Sequence, residues 1–258
     1  MIAGPDCDLW VEVLGEGAPV TVFAHGSTSS TDELRPMASR TPGTRILFDF
    51  RGHGRSGTPP EAAGYDHRAI HRDLVFVADT FEATQCFAVS MGAGALMRIL
   101  GDQPDRFERV AFFIPASIDK PASGSTPALA DELETYPLEE VAERALASRE
   151  MQPLFAARPY WRELVRARIL RMNPVGVPRA LRAYANGSAP VADAAVLERV
   201  RAPALILAHE GDPIHDIAVA RRLASVLPNA SLRVWPEPLA MYDDLDAFAR
   251  LIGAFLGG

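Results

Sequence analysis

Phe87-Ala88-Val89-Ser90-Met91-Gly92 is the stretch of sequence that decides the fold of this chain. The apolar run that ends at Val89 predicts a buried strand, and the run from Met91 to Gly101 predicts a helix. Small residues around Ser90 allow the tight, strained turn that holds a serine hydroxyl above a sheet, over the N-terminus of the next helix. Ser90 is therefore a candidate nucleophile.

Strand and helix patterns alternate along most of the remaining chain, which predicts an α/β protein. Strands and helices in this order favour a mostly parallel central sheet with helices on both faces. The predicted strands are Leu9–Leu14, Val20–Ala24, Arg45–Phe50, Gln85–Val89, Val110–Ile114, Ala204–Ala208 and Ser231–Trp235. The predicted helices are Asp32–Arg40, Asp66–Thr80, Met91–Gly101, Asp216–Leu227 and Asp243–Leu256.

The alternation breaks once, between Ser117 and Asp193, where the sequence is rich in proline and then helical. The clearest helices there are Asp131–Ser148 and Met151–Met172, and no strand is predicted. An all-helical segment inserted between two strands is typical of a lid over an active site. We expect a core domain made of residues 1–116 and 194–258, with residues 117–193 as the helical lid.

Composition excludes several classes of function. The chain has 258 residues, 48% hydrophobic residues and a net charge of −7, which argues against a nucleic-acid-binding protein. No apolar run is long enough to span a bilayer, and residues 1–10 lack the pattern of a secretory signal, so we expect a cytoplasmic protein that does not bind membranes. Neither the two cysteines nor the pair His67 and His71 suggests a metal site, and no cofactor is expected.

Two more motifs agree with the serine turn. His25-Gly26-Ser27 follows one predicted strand, and Asp49-Phe50-Arg51-Gly52-His53-Gly54-Arg55-Ser56 follows the next. With these motifs the chain resembles the α/β-hydrolase fold superfamily over nearly its whole length. The resemblance implies that the backbone N–H groups of Ser27 and Met91 form an oxyanion hole, which stabilises the negative oxygen of a tetrahedral intermediate.

The resemblance also implies a catalytic acid after the strand Ala204–Ala208. The following loop reads His209-Glu210-Gly211-Asp212-Pro213-Ile214-His215. Asp212 is the expected acid, with Glu210 as the second choice, because the family places its acid in such a turn at a strand end.

The family's catalytic histidine should follow the last strand, yet residues 236–243 read Pro-Glu-Pro-Leu-Ala-Met-Tyr-Asp. The window for this histidine is Pro238 to Tyr242, and Ala240 is the expected position, with Met241 next. Tyr242 would need a strongly lowered pKa to act as a base. The standard triad is thus incomplete.

Three explanations of this gap remain open. Ala240 could replace a natural histidine in an engineered variant, or the natural protein could have lost hydrolysis and use its pocket for ring closure, a lyase step or ligand binding. Alternatively, His215 or His209 could have taken over as base, although His215 is expected to need a rearranged site to reach Ser90.

The predicted lid gives the only indication of substrate. Its apolar and aromatic side chains suit a hydrophobic or aromatic small molecule. We expect an enzyme acting on a small, mainly apolar ester, lactone or related carbonyl compound; the alternative is a non-hydrolytic homologue with the same pocket. The expected substrate-binding residues are His25, Phe155, Tyr160 and Trp161.

Overall fold

A central seven-stranded sheet organises the molecule, which is known from a computed structural model that describes residues 1–60, 62–121, 126–185, 189–212 and 214–258. The prediction of a mostly parallel sheet with helices on both faces is confirmed. A separate pair of short strands, β1 (Ile2–Ala3) and β2 (Asp8–Leu9), precedes the main sheet. The main strands are β3 (Val11–Leu14), β4 (Val20–Ala24), β5 (Thr44–Phe48), β6 (Gln85–Val89), β7 (Arg109–Phe113), β8 (Ala204–His209) and β9 (Ala230–Trp235).

The strand order is β3-β5-β4-β6-β7-β8-β9, and among these described strands β3 alone pairs antiparallel with its neighbour. After β4 the chain places β5 on one side and β6 on the other, which makes the boundary between β4 and β6 a switch point. Ligands of open α/β sheets bind at the carboxyl ends of the strands beside such a point. Ser90 directly follows β6, so the topology puts the candidate nucleophile there.

Helices cover both faces of this sheet. They are α1 (Thr31–Ala38), α2 (His67–Thr80), α3 (Met91–Asp102), α9 (Ile217–Val226) and α10 (Leu245–Gly257). One hydrophobic cluster joins the sheet to α2, α3 and α9, and the other joins it to α1 and α10. The described part of the chain also has three 3-10 helices, Ala62–Tyr65, Ala194–Arg199 and Ala240–Asp244.

Between β7 and β8, the described residues form five α-helices, which make up an inserted segment with a small core of its own. They correct the two long helices of the sequence prediction, because each breaks in two beside a proline, at Pro137 and at Pro159. Proline has no N–H for the helix ladder and disfavours helical geometry in the preceding residue. The helices are α4 (Thr126–Thr135), α5 (Leu138–Ala147), α6 (Gln152–Ala157), α7 (Trp161–Leu170) and α8 (Gly176–Ala185).

Arginine side chains tie the inserted segment to the sheet domain. Arg168 of α7 donates two hydrogen bonds of 2.7 Å to the carboxylate of Glu33 in α1. Arg158, before α7, binds Asp243 beyond β9 at 2.7 to 2.9 Å. Two bidentate pairs thus fix α7 against the end of the sheet that bears Ser90.

Candidate active site

Ser90 occupies a strained turn between β6 and α3. Its backbone has φ 49° and ψ −106°, a combination that a residue other than glycine rarely adopts. Gly92 permits the close approach of α3 to β4, since a Cβ there would lie 2.7 Å from the carbonyl oxygen of Ala24. The turn is the sharp strand-to-helix bend that exposes a serine hydroxyl, and Ala88 at its first position is buried in the strand.

Neighbouring strands position Ser90 from two sides. Its N–H donates to the carbonyl oxygen of Phe113 at the end of β7, at 3.0 Å. On the other side, a Cβ added to Gly26 would lie 3.4 Å from the Cβ of Ser90. The loop after β4 therefore packs directly beside the candidate nucleophile.

His215 and Asp212 complete a hydrogen-bonded chain that begins at Ser90. His215 Nε2 lies 2.9 Å from Ser90 Oγ, and His215 Nδ1 lies 2.8 Å from Asp212 Oδ2. A carboxylate can only accept, so Nδ1 carries the ring proton and Nε2 presents its lone pair to the serine hydroxyl. This arrangement of serine, imidazole and carboxylate is the one that activates a serine nucleophile.

From the sequence, His215 is expected to need a rearranged site to reach Ser90. In the structure His215 reaches Ser90 from the loop after β8, and its backbone N–H donates to Asp212 Oδ1 at 3.1 Å. Because Asp212 Oδ1 accepts the backbone N–H groups of Ile214 and His215, the side chains of residues 212 and 215 lie on the same side of this turn. The D-x-x-H spacing in the sequence was the signal that could have indicated this pairing.

Asp212 is held as an anion. Burial raises the pKa of its carboxyl group, but hydrogen bonds from the His215 ring and from two backbone N–H groups outweigh this effect. The net pKa of Asp212 lies below its usual range. The two backbone donors are Ile214 and His215, which share Oδ1 and leave Oδ2 to the ring.

The main chain fixes the loop that carries this acid and base. Glu210 N–H donates to the carbonyl oxygen of Trp235 at 2.9 Å, which extends the pairing of β8 with β9. Gly211 then adopts φ +71°, where a glycine has no steric penalty. Asp216 caps α9 by accepting from the N–H of Ala218. Pro213 lies outside the described residues.

His25 has a structural position, which corrects its assignment to the substrate-binding residues. The side chain is fully buried, and both ring nitrogens are used within the protein. Nδ1 donates to the carbonyl oxygen of Gly26 at 2.7 Å, and Nε2 accepts from the N–H of Phe50 at 2.9 Å. Burial lowers the pKa of His25 to about 3, so the ring is neutral at neutral pH.

His25 also orients an expected oxyanion donor. The carbonyl of Gly26 and the N–H of Ser27 belong to one trans peptide and point in opposite directions. The ring that holds the Gly26 oxygen therefore aims the Ser27 N–H the other way. Met91, the other expected donor, is the first residue of α3, where an N–H has no partner inside the helix.

His53 supports the same loop, and its ring centroid lies 5.1 Å from that of His25. His53 is fully buried, with Nε2 2.7 Å from the carbonyl oxygen of Ser27 and Nδ1 2.9 Å from that of Arg51. Both contacts are to the main chain, so His53 packs beneath the loop and does not face the hydroxyl of Ser90.

The window predicted for a histidine forms the 3-10 helix Ala240–Asp244 and the residues before it. Ala240 begins this helix, and Met241 is buried in the core between the sheet and α10. Tyr242 packs its ring against Phe113, and burial raises the pKa of its hydroxyl, so it does not serve as a base at neutral pH.

The remaining residues of the predicted substrate site do not form one cluster. Phe155 is buried beneath the guanidinium group of Arg162. Tyr160 is 43% exposed, and its hydroxyl donates to Asp243 at 2.7 Å, at the surface. Trp161 is buried edge-on against Tyr242, and within the described part of the chain its Nε1 has no hydrogen-bond partner.

The described residues contain neither a membrane-spanning helix nor a cluster of metal-binding side chains. Within ranges 1–60, 62–121, 126–185, 189–212 and 214–258, no helix combines the length and apolar character needed to cross a bilayer. In the same ranges, no three histidine, cysteine or acidic side chains are grouped closely enough to bind a metal ion.

Comparison with known proteins agrees with the fold. Among solved structures, an enol-lactonase from Burkholderia xenovorans LB400 superposes with a TM-score of 0.82 at 20% identity, over 100% of this chain and 99% of that one. An esterase from Thermogutta terrifontis gives 0.78 at 20% identity over 97% and 93%, and one from Exiguobacterium antarcticum 0.77 at 18% over 100% and 98%.

No curated protein matches the sequence. A family model does match residues 21–251, which include the Ser90 turn, the loop of Asp212 and the inserted helices. The chain belongs to the alpha/beta hydrolase family.

Proposed function

We propose that this protein is a serine hydrolase that cleaves small, mainly apolar carboxylic esters or lactones. Ser90 is the nucleophile, His215 is the general base, and Asp212 is the acidic residue of the triad, whose carboxylate binds the His215 ring. The observation that carries the proposal is the pair of contacts at His215, 2.9 Å to Ser90 Oγ and 2.8 Å to Asp212 Oδ2. With this histidine in contact with Ser90, the mechanism needs no base at Ala240.

The reaction begins when Ser90 Oγ attacks the carbonyl carbon of the substrate. His215 Nε2 takes the hydroxyl proton, and the charge that develops on the ring is stabilised by Asp212 at Nδ1. The tetrahedral intermediate collapses as the C–O bond to the leaving group breaks, and the imidazolium returns the proton to the leaving oxygen. An acyl group is then bound to Ser90 Oγ.

A water molecule hydrolyses this acyl-enzyme by the same steps. His215 removes a proton from the water as its oxygen attacks the acyl carbon, and then gives that proton to Ser90 Oγ as the acyl C–O bond breaks. A tetrahedral intermediate with a negative oxygen forms before the acyl-enzyme and again after it. We assign the stabilisation of this oxygen to the N–H groups of Ser27 and Met91, and such donors commonly account for about 10²- to 10³-fold of the rate.

The choice of substrate class has two supports. The reacting groups are those of acyl transfer, and the similar solved structures include an enol-lactonase and esterases. The inserted helices α4–α8 would act as a lid over the site, with residues 117–193 as the lid and residues 1–116 and 194–258 as the catalytic domain. We propose that Trp161, which is buried against Tyr242, is an apolar side chain through which this lid contacts the substrate.

We place the protein in the cytoplasm and expect a small-molecule substrate, without nucleic acid, membrane or cofactor.

The experiment is hydrolysis of a series of p-nitrophenyl esters and of small lactones, with Ser90→Ala as the paired variant. We expect turnover by the wild-type protein and its loss in the variant. Binding of the esters without turnover and without a covalent adduct would contradict the proposal. That result would favour a non-hydrolytic homologue that uses the same pocket for ligand binding, a lyase step or ring closure.

A further inference from the structure

A second histidine lies against the carboxylate of Asp212. His209 is the last residue of β8 and is 2% exposed, and its Nε2 lies 3.5 Å from Asp212 Oδ2. The same oxygen is 2.8 Å from His215 Nδ1. Two imidazole rings therefore converge on one oxygen of the acid, and only one of them contacts Ser90.

The surroundings of His209 define its charge state. Burial lowers the pKa of His209, so the ring is neutral at neutral pH. Its Nδ1 is buried and makes no hydrogen bond of regular geometry within the described residues, and the ring also interacts with the backbone of Glu210, which raises the pKa of His209 to a smaller extent than burial lowers it. A neutral ring carries one proton, and placing it on Nε2 puts it on the nitrogen that faces the carboxylate.

Other ionisable groups near the end of β8 are already paired. Glu210 binds Arg221 of α9 at 2.5 Å, and Arg233 of β9 stacks on the ring of Trp235. Beyond β9, Glu237 pairs with Arg158. The charged or ionisable groups that act on the His209 ring are Asp212, from the following turn, and His215, which contacts the same oxygen of that carboxylate.

We propose that His209 is a positioning residue that donates its Nε2–H toward Asp212 Oδ2 and so limits how strongly this carboxylate holds the proton of His215. The inference rests on the proposed function, because it concerns the acid of that mechanism. A carboxylate that shares its lone pairs with a second donor is a weaker acceptor for the first. Without His209, the Asp212 carboxylate would hold the proton of the His215 ring more strongly.

The test is the pH dependence of kcat/KM for a p-nitrophenyl ester in four variants. His209→Phe and the smaller His209→Leu remove the donor, whereas His209→Gln keeps an N–H near the position of Nε2. His67→Phe is the matched control, because His67 is a buried histidine of α2 outside the site.

The His209→Phe and His209→Leu variants should move the acidic limb of the kcat/KM pH profile to higher pH by about 0.5 unit. At pH values below this limb, their kcat/KM should be about threefold lower than that of the wild type. His209→Gln should keep the acidic limb at its wild-type pH, and the control variant His67→Phe should not move it. A purely structural role for His209 would lower the melting temperature or kcat and leave the limb in place.

NMR of ¹⁵N-histidine in the unmodified protein provides a second readout that needs no mutant to fold. The two-bond proton–nitrogen pattern should give His209 as the neutral Nε2–H tautomer from pH 6 to 8. A neutral Nδ1–H tautomer, or a charged ring, would overturn the inference.

The outcomes distinguish the two proposals. Turnover that depends on Ser90 and His215, with an acidic limb unchanged in both donor-free variants, overturns the role of His209 alone. Absence of Ser90-dependent turnover at every pH overturns the proposed function and the inference with it.

Discussion

His215 Nε2 lies 2.9 Å from Ser90 Oγ, although 125 residues separate the two in the chain. The contact explains how a chain with no histidine after its last strand brings an imidazole to the serine. One loop, from His209 to His215, carries both the carboxylate and the ring. In the proposed mechanism the loop after β8 therefore supplies both the base and the carboxylate, and the loop after β9 supplies neither.

The first prediction concerns Ala240, the position at which the sequence favoured a catalytic histidine. If His215 is the base, Ala240→His should leave kcat/KM of the wild-type protein within about threefold and should not rescue His215→Ala, whose loss should be about 10²- to 10⁴-fold. Ester hydrolysis by the two single variants and the double variant measures this. Recovery of activity in the double variant would favour a lost histidine at residue 240.

The fold could be predicted because its signals are local. Five-residue apolar strands such as Gln85–Val89 and Val20–Ala24 have the bounds that the pattern predicts. The inserted helices were harder to predict. Their periodic pattern continues through Pro137 and Pro159, where the backbone cannot remain helical. Helix α8 was not among the predicted helices, although Val177, Leu181 and Tyr184 lie at helical spacing on its buried side.

The site was only partly predictable because its last residue departs from the family order. Ser90 and Asp212 follow strands, and a strand end is identifiable from sequence. The ring of His215 depends on the path of a turn, in which Asp212 Oδ1 accepts the N–H of residue 215 and sets its direction. His25 was misassigned for a similar reason, since hydrogen bonds to main-chain groups cannot be read from a sequence motif.

The second prediction concerns His25 as the residue that orients the Ser27 N–H. His25→Phe removes the donor to the Gly26 oxygen and the acceptor for Phe50 N–H. We expect kcat to fall about 10- to 100-fold with little change in KM, because an oxyanion donor acts mainly in the transition state. Affinity for a boronic acid inhibitor should fall in parallel. A change confined to KM would argue against this role.

The third prediction concerns pH and Asp212. Its folded pKa is lowered, so the stability that its ionised form contributes is present above the unfolded pKa of about 3.9 and is lost as the pH falls through the folded pKa. Asp212→Asn should therefore differ from wild type by a constant free energy of unfolding above about pH 5, and by less near pH 3. Urea unfolding at several pH values measures this difference. A difference that grows on acidification would contradict the assignment.

The fourth prediction concerns backbone strain at Ser90, whose φ is 49°. Ser90→Gly and Ser90→Ala both remove the nucleophile, but only glycine adopts this conformation without steric cost. The glycine variant should be more stable than the alanine variant by about 1 kcal/mol, as expected for the release of one strained residue. Thermal or urea unfolding of the pair tests this. Equal stabilities would indicate that the turn is not strained.

The most direct measurement is the rate at which a p-nitrophenyl ester acylates Ser90. Rapid mixing gives this rate, and mass spectrometry identifies the acylated residue. His215→Ala is compared with wild type, and His71→Ala serves as the matched control because His71 lies in α2, outside the site. We expect one acyl group per wild-type molecule on Ser90, and acylation slower by about 10²- to 10⁴-fold in His215→Ala alone. Equal acylation rates in wild type and His215→Ala, or an acyl group on another residue, would contradict the account.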